Sequence, residues 1–241
     1  MQIVITASGS GSDNFLQAGF LLPKNLVSFK GKPILDFVVE QYEHLKCPIT
    51  ITLNKSECLE FGTDQIILER HPRVRVLQIP DGNRGALCSA LLGTDASISG
   101  RLIIVPGDSV TQKLPTEIVE RINSEDADAG TVVFRSDSPR WSYVRTDSNN
   151  HVLEIAEKKV ISGFATTGLF YFRDVSTFID GATWALVNST NLKGRYYVSH
   201  SLHKLLSMQK TVVAQPLKNP RNYLSFSSPA ELAQRLEEYE N

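Results

Sequence analysis

Short runs of β-branched residues alternate with segments of helical length through the first half of the chain. The strand-like runs lie at residues 2–6 (QIVIT), 49–53, 73–78 (RVRVLQ) and 101–106 (RLIIVP). Apolar residues recur at helical spacing between them, at residues 33–45, 58–69 and 85–92. Because parallel strands joined by helices are covered on both faces, this alternation predicts an α/β fold: a three-layer sandwich around a mixed, mostly parallel sheet.

The pattern changes after about residue 128. Strand-like pieces now follow one another closely: GTVVFRSD, WSYVRTD, HVLEIAEKK and ATTGLFYFRD. They predict antiparallel strands or hairpins added to the parallel core. Helical segments return at residues 177–188 and 197–207, and Ser228 and Pro229 are expected to begin an amphipathic C-terminal helix. Since we find no linker and no repeat, we expect a single domain of residues 1–241.

Composition excludes several function classes. Lys and Arg number 25 against 26 Asp and Glu, so the chain lacks the basic field on which nucleic-acid binding usually rests. Its three cysteines, Cys47, Cys58 and Cys88, have no CxxC spacing, which argues against a disulfide framework or a structural zinc site and favours a cytoplasmic protein. No segment approaches the roughly 20 apolar residues of a membrane span.

The first strand runs directly into a loop of small residues, ASGSGS, which is followed by Asp13. Such a loop leaves backbone amides available to wrap the phosphates of a nucleotide. It is equally compatible with a flexible turn between strand and helix, because the third glycine of a dinucleotide fingerprint is missing. The acid at its end is unexpected in an anion site.

Lys24 is the strongest candidate for a phosphate contact among the early lysines. Pro23 fixes the backbone before it, and an apolar stretch follows it. We expect Lys30 and Lys32 to be solvated charges, as lone lysines usually are.

Together these segments resemble the sugar-phosphate nucleotidyltransferases, the NDP-sugar pyrophosphorylases. The resemblance starts with ASGSGS and AGFLLPKNLVSFKGKPIL, whose AGF spacer is most similar to a branch often found in bacterial capsule and surface-polysaccharide clusters. It continues through NRGALCSALLG, VPGDSV and SPRWSYVRTDSNNHVLEIAEKKVISGFATTGLFYF, and ends with GRYYVSHSLHKLL and YLSFSSPAELAQRLEEY. It covers nearly the whole chain and implies a GT-A/Rossmann-like fold, with a nucleotide-binding half at residues 1–127 and an acceptor-binding half at 128–241.

The resemblance also implies the site residues. Catalysis falls to Lys24 and Asp108, and Asp108 would hold Mg²⁺ bridging the nucleotide phosphates. The nucleotide-binding positions are Ala7, Ser8, Gly9, Ser10, Gly11, Ser12, Asp13, Gly85 and Gly107. The acceptor-binding positions are Trp141, Tyr143, Glu157, Lys158 and Gly168.

Each of these assignments has a structural alternative. Asp108 can simply cap a turn, because Gly-Asp-Ser is good turn chemistry. Glu157 and Lys158 can form an exposed charged turn, and Gly168 can mark a bulge instead of a close approach by the sugar. Core packing is the expected role of at least one of Trp141 and Tyr143.

Three positions depart from the family pattern. Asp13 stands where relatives have an arginine that contacts the triphosphate, Ser225 where many have an aspartate that binds metal, and Arg195 where an acid is common. The first hypothesis is therefore an active, cytoplasmic nucleotidyltransferase that joins an NTP to a phosphorylated small molecule and releases pyrophosphate. The second is an impaired homologue that binds a nucleotide or NDP-sugar without transfer.

A glycosyltransferase on the same fold is a weaker hypothesis, because VPGDSVTQ supplies one acid where such enzymes commonly need two. The sequence leaves open the nucleotide base, the acceptor and whether the chain forms a homo-oligomer, as relatives often do.

Overall fold

A computed structural model of the chain describes residues 1–9, 11–111, 114–188, 190–219 and 222–240. The strands are β1 (Gln2–Thr6), β2 (Ser28–Phe29), β3 (Lys32–Pro33), β4 (Ile49–Asn54), β5 (Arg75–Ile79), β6 (Leu102–Pro106), β7 (Ser109–Thr111), β8 (Ala129–Arg135), β9 (Ser142–Thr146), β10 (Val152–Glu157), β11 (Phe164–Phe172), β12 (Val212–Pro216) and β13 (Tyr223–Ser225).

The helices are α1 (Gly11–Gln17), α2 (Ile34–Glu43), α3 (Lys55–Phe61), α4 (Thr63–Arg70), α5 (Ala86–Gly93), α6 (Leu114–Ser124), α7 (Val175–Val187), α8 (Leu202–Ser207) and α9 (Pro229–Glu240). Short 3₁₀ turns lie at Lys24–Leu26 and Val198–Ser201. Within the described ranges, no helix combines the length and apolar character that crossing a bilayer requires.

Nine of the described strands form one mixed sheet. Its main path runs β10-β9-β11-β6-β1-β4-β5, and β8 pairs with β11 and β12. The β4, β1 and β6 strands are parallel to one another, as are β5 and β4, whereas β11 runs antiparallel to β6, β8 and β9. This arrangement confirms the prediction of a parallel first half with antiparallel strands added by the second half.

The central strand β1 explains why the sheet is covered on both sides. Ile3 and Ile5 belong to one buried apolar cluster, which includes residues of α2, α6 and α9. Val4 points the other way, into a second cluster formed with residues of α5, α7 and α8. Because side chains alternate along a strand, a continuous apolar run fills both cores, and the result is the predicted three-layer sandwich.

Two predicted helices differ from those observed. The segment at 58–69 is two helices, α3 and α4, because Gly62 adopts a left-handed conformation (φ 63°) and its backbone N–H caps the first by donating to the Cys58 carbonyl. The segment at 197–207 begins as a 3₁₀ turn before α8. At the C-terminus the cap prediction is confirmed, since the Ser228 hydroxyl accepts a hydrogen bond from the Glu231 backbone at 3.3 Å.

Candidate active site

A cavity of about 460 Å³ lies at the carboxyl ends of β1 and β6. Open α/β sheets place their ligands at this edge. Its walls come from the loop after β1, the turn at Lys24, the segment before α5 and the end of β6. The charged residues in its lining are Asp13, Lys24, Asp81, Asp108 and Arg195. We call it the first cavity.

The loop after β1 forms one wall of the first cavity through Ala7, Ser8 and Gly9. The Ser8 hydroxyl is buried and lies 2.7 Å from the hydroxyl of Ser89 on α5, so the loop is tied to the neighbouring helix. Ser10 lies outside the described residues. Gly11 and Ser12 form the start of α1, and Asp13 follows them in its first turn. Asp13 is exposed and lines the cavity, so the unexpected acid does face the site.

Gly107 allows the ends of β1 and β6 to meet. A Cβ at this position would lie 2.5 Å from the Ala7 Cβ and 2.9 Å from its Cα, far inside contact distance. The Gly107 backbone instead donates a hydrogen bond to the Thr6 carbonyl at 2.9 Å. Packing therefore requires glycine at position 107. The close approach that it allows places the loop after β1 beside Asp108.

Lys24 and Asp108 form an ion pair inside the first cavity, with Nζ 2.5 Å from Oδ2. The Lys24 side chain is 9% exposed and that of Asp108 22%. Among the described residues, Oδ1 of Asp108 has no protein hydrogen-bond partner, which leaves one carboxylate oxygen for a ligand. The two residues assigned to catalysis from the sequence are thus in contact, although 84 positions separate them.

Asn25 is a site residue that the sequence did not single out. It is fully buried, and its side-chain amide donates to the Ala7 carbonyl at 3.0 Å and to Glu57 at 2.9 Å. It thereby fixes the end of β1 against the turn that carries Lys24. Sequence gives little signal for this role, because a lone asparagine after Lys24 is unremarkable until the chain folds back.

Gly85 lines the first cavity, but packing against another part of the protein is what requires a glycine at this position. It has a positive φ of 109°, and a Cβ there would collide with the backbone carbonyl of Tyr196. Two backbone hydrogen bonds flank this contact. The Tyr196 N–H donates to the Arg84 carbonyl at 2.7 Å, and the Leu87 N–H donates to the Tyr196 carbonyl at 3.1 Å. The segment after residue 192 is therefore fixed against the wall of the cavity, and it carries Arg195 and Tyr197 into the lining.

A second cavity of about 280 Å³ adjoins the first. Three residues, Pro106, Asp108 and Tyr197, line both. The remaining wall of this second cavity comes mainly from β9, β10, β11 and β13. Two ligands, one in each cavity, would therefore meet at the Asp108 carboxylate.

Glu157 and Lys158 lie in the second cavity. The Glu157 carboxylate accepts hydrogen bonds from the Ser142 hydroxyl and, at 2.8 Å, from the Ser199 hydroxyl. Burial raises the pKa of Glu157, and the two serines and Lys158 oppose the rise only in part. Lys158 is exposed, with its ammonium 5.0 Å from the centre of the Tyr197 ring.

Trp141, just before β9, and Tyr143, within it, divide as expected between lining and core. Trp141 lines the second cavity, but Tyr143 is fully buried and its hydroxyl donates to the Ser138 carbonyl at 2.7 Å. This corrects the assignment of Tyr143 to the acceptor.

Gly168 lines the second cavity at a bulge in β11, where it has a positive φ of 85° and a Cβ would lie 2.6 Å from Pro106. A bulge with close protein packing therefore accounts for this glycine.

Ser225 lies next to Asp108 in the second cavity. The β13 strand pairs Ser225 with Ser109, and the Phe226 backbone donates to the Asp108 carbonyl at 2.8 Å. The Ser225 hydroxyl itself donates to Glu231. Across the described part of the chain, no group of three or more His, Cys, Asp or Glu side chains is arranged to hold a metal ion by itself.

This geometry defines an α/β protein with two joined ligand cavities at the strand ends of its sheet. Residues 4–204 match the family model described as "Nucleotidyl transferase". The chain therefore belongs to the nucleotidyl transferase family, and the prediction of an enzyme of this class is confirmed. No curated protein matches the chain in sequence.

Several solved structures have the same fold. A nucleoside-diphosphate-sugar pyrophosphorylase from Vibrio cholerae superposes with a TM-score of 0.85 at 16% identity, covering 98% of this chain and 100% of the other. The inositol-1-phosphate CTP transferase from T. maritima gives 0.75 at 17% identity, covering 98% and 93%. A UDP-glucose pyrophosphorylase complexed with UDP-glucose gives 0.75 at 12% identity, covering 99% and 98%. At these identities the likeness concerns the fold.

Proposed function

We propose that this protein transfers a nucleotidyl group from an NTP to a sugar phosphate or a related phosphorylated small molecule, with release of pyrophosphate. The observation that carries the proposal is the junction of the two cavities at Asp108, with Lys24 held against its carboxylate. Transfer between two phosphates needs both substrates in adjoining pockets with positive charge at the point of contact.

In this proposal the NTP occupies the first cavity and the acceptor the second. A phosphate oxygen of the acceptor attacks the α-phosphorus and forms a new P–O bond, while the bond from that phosphorus to its bridging oxygen breaks. Pyrophosphate leaves with the electron pair. Lys24 stabilises negative charge on the phosphates, and the loop binds them through the backbone amides of Ser8 and Gly9, since the Ala7 amide already donates to the Thr52 carbonyl. Glu157 accepts hydrogen bonds from hydroxyl groups of the acceptor.

Mg²⁺ is the metal that fits this donor set. Among the described residues, Asp108 offers one carboxylate oxygen without a protein partner, and Ser225 stands in place of an acid. Mg²⁺ often takes one protein carboxylate together with substrate phosphates and water. When bound, the ion would neutralise phosphate charge during transfer. Because substrate phosphates would complete the coordination begun by Asp108, metal affinity should depend on the nucleotide.

The test is pyrophosphate release from each of the four NTPs paired with a panel of sugar phosphates, with and without Mg²⁺. Release that needs both substrates and the metal supports the proposal. The absence of turnover with every pair contradicts it.

Asp13 motivates a second candidate function, a homologue that binds the nucleotide or an NDP-sugar without transferring it. Asp13 lines the first cavity and adds negative charge beside Asp81 and Asp108. Nucleotide binding without turnover in the same panel would favour this candidate.

The wider setting is part of the proposal. We place the reaction in the cytoplasm, because Cys47, Cys58 and Cys88 are all free thiols. The AGF spacer before Pro23 supports a role in capsule or surface-polysaccharide synthesis, and a homo-oligomer is the expected assembly.

A further inference from the structure

The segment after residue 204, beyond the part that matches the family model, completes the second cavity. Tyr223, Ser225 and Ser227 line it, and β13 attaches this segment to β7 beside Asp108. The acceptor side of the site therefore depends on side chains from the C-terminal segment.

Glu231, in the first turn of α9, organises these side chains. The residue is 8% exposed, and its Oε2 accepts hydrogen bonds from the Ser225 hydroxyl (2.8 Å), the Ser227 hydroxyl (2.7 Å) and the Ser227 backbone (2.9 Å). Its other oxygen forms an ion pair with Arg140. A buried carboxylate with this many partners holds a fixed position, and so fixes the guanidinium that it binds.

Arg140 is half exposed and lines the second cavity. Its guanidinium lies 4.3 Å from the centre of the Trp141 ring, so the glutamate and the indole together set its orientation. The Lys158 backbone donates to the Trp141 carbonyl at 3.0 Å, so Lys158 lies on the segment that pairs with the one carrying Arg140. Arg140 and Lys158 are thus two cations in the lining of one cavity.

We infer that Arg140 binds the phosphate of the acceptor together with Lys158, and that Glu231 is the residue that positions Arg140. This inference rests on the proposed function and names the residues that select a phosphorylated acceptor. A guanidinium has five N–H donors, so the pair with Glu231 leaves donors on its other edge for phosphate oxygens. Lysine at position 140 would keep the charge and lose the planar fork.

The experiment measures KM for the acceptor and for the NTP in wild type, Arg140→Gln, Arg140→Lys and Glu231→Gln. We expect Arg140→Gln to raise the acceptor KM about 10- to 100-fold with the NTP KM unchanged. Arg140→Lys should restore only part of the loss, and Glu231→Gln should raise the acceptor KM less than Arg140→Gln does. An acceptor KM that stays at the wild-type value in Arg140→Gln, or an equal rise in both KM values, overturns the inference.

Arg145→Gln is the matched control. Arg145 is similarly half exposed and pairs with Glu154 at 3.0 Å, but it lines neither cavity in the described part of the chain. The Arg145→Gln variant should leave both KM values unchanged. Thermal melts show whether Glu231→Gln folds, and if it does not, the two Arg140 variants decide the question.

Calorimetry separates this inference from the proposed function. The same sugar phosphates and inorganic phosphate are titrated into wild type and Arg140→Gln in the absence of nucleotide. Binding to wild type that weakens in the variant supports the inference even if no pair releases pyrophosphate, in which case the proposed function alone fails. If wild type binds none of these phosphates, the inference is overturned.

Discussion

Lys24 Nζ lies 2.5 Å from Asp108 Oδ2, which joins the turn after Pro23 to the end of β6 at the point where the two cavities meet. Each side chain partly neutralises the other, and both are mostly buried. The pair therefore matters both for stability and for the charge presented to a phosphate.

Removing either partner should cost activity more than stability. We expect Lys24→Met or Asp108→Asn to lower the rate of pyrophosphate release at least about 100-fold, because the first removes a positive charge aimed at the reacting phosphates and the second removes the carboxylate that would hold Mg²⁺. The free energy of unfolding should fall by about 1–3 kcal/mol, since one charge stays partly buried without its partner. Lys32→Met, in an exposed pair with Glu40, is the control and should change neither by a measurable amount.

Neutralising Asp13 should strengthen nucleotide binding. It is exposed in the lining of the first cavity, so Asp13→Asn removes repulsion of the triphosphate and should tighten NTP binding about 2- to 5-fold, with a larger gain for Asp13→Arg. Titrations with the NTP at low and high salt measure this affinity, and the gain in affinity should shrink as the salt concentration rises. Asp137→Asn, which alters an exposed acid in the lining of neither cavity, controls for net charge. Weaker binding in Asp13→Asn would show instead that the carboxylate has a role of its own.

Gly107→Ala tests the packing that places the loop beside Asp108. The added methyl would meet Ala7 at 2.5 Å, so we expect a loss of about 1–3 kcal/mol in the free energy of unfolding, together with weaker NTP binding. Gly9→Ala in the same loop meets no atom within 4 Å and should change stability by less than about 0.5 kcal/mol. Urea unfolding compares the two, and equal losses would count against this account of Gly107.

Acid should destabilise the protein through His200. Burial lowers its pKa to about 4, His203 beside it adds to the effect, and Nδ1 accepts a hydrogen bond from the Tyr197 backbone at 3.3 Å. Because the unfolded pKa is about 6.5, the unfolded chain binds the extra proton between these values. The contribution of neutral His200 to the free energy of unfolding is fully present above pH 6.5. It falls by up to about 3 kcal/mol as the pH drops towards 4.

Urea unfolding between pH 7.5 and 5 measures this dependence. His200→Gln should flatten it, and His44→Gln, which alters an exposed histidine, should leave it as in wild type. A slope that is the same in His200→Gln and wild type would contradict the assignment.

The sequence predicted the fold better than it predicted the site. Apolar runs such as QIVIT determine burial on both faces, and local spacing therefore sufficed for β1 and its neighbours. The roles of Gly85 and Gly168 depend on Tyr196 and Pro106, which are distant in sequence, and no local pattern reveals such contacts. Arg140 and Glu231 were missed for the same reason, since their pairing joins residues 91 positions apart in sequence.

The central claim is that an NTP and a phosphorylated acceptor react across Asp108. Its most direct test is ³¹P NMR of a reaction with the best substrate pair from the panel, compared with Asp108→Asn. The account predicts one pyrophosphate and one diphosphate-linked product for each NTP consumed, only when the acceptor is present, and almost no product in the variant. Consumption of NTP without acceptor, or unchanged product formation in Asp108→Asn, would contradict it.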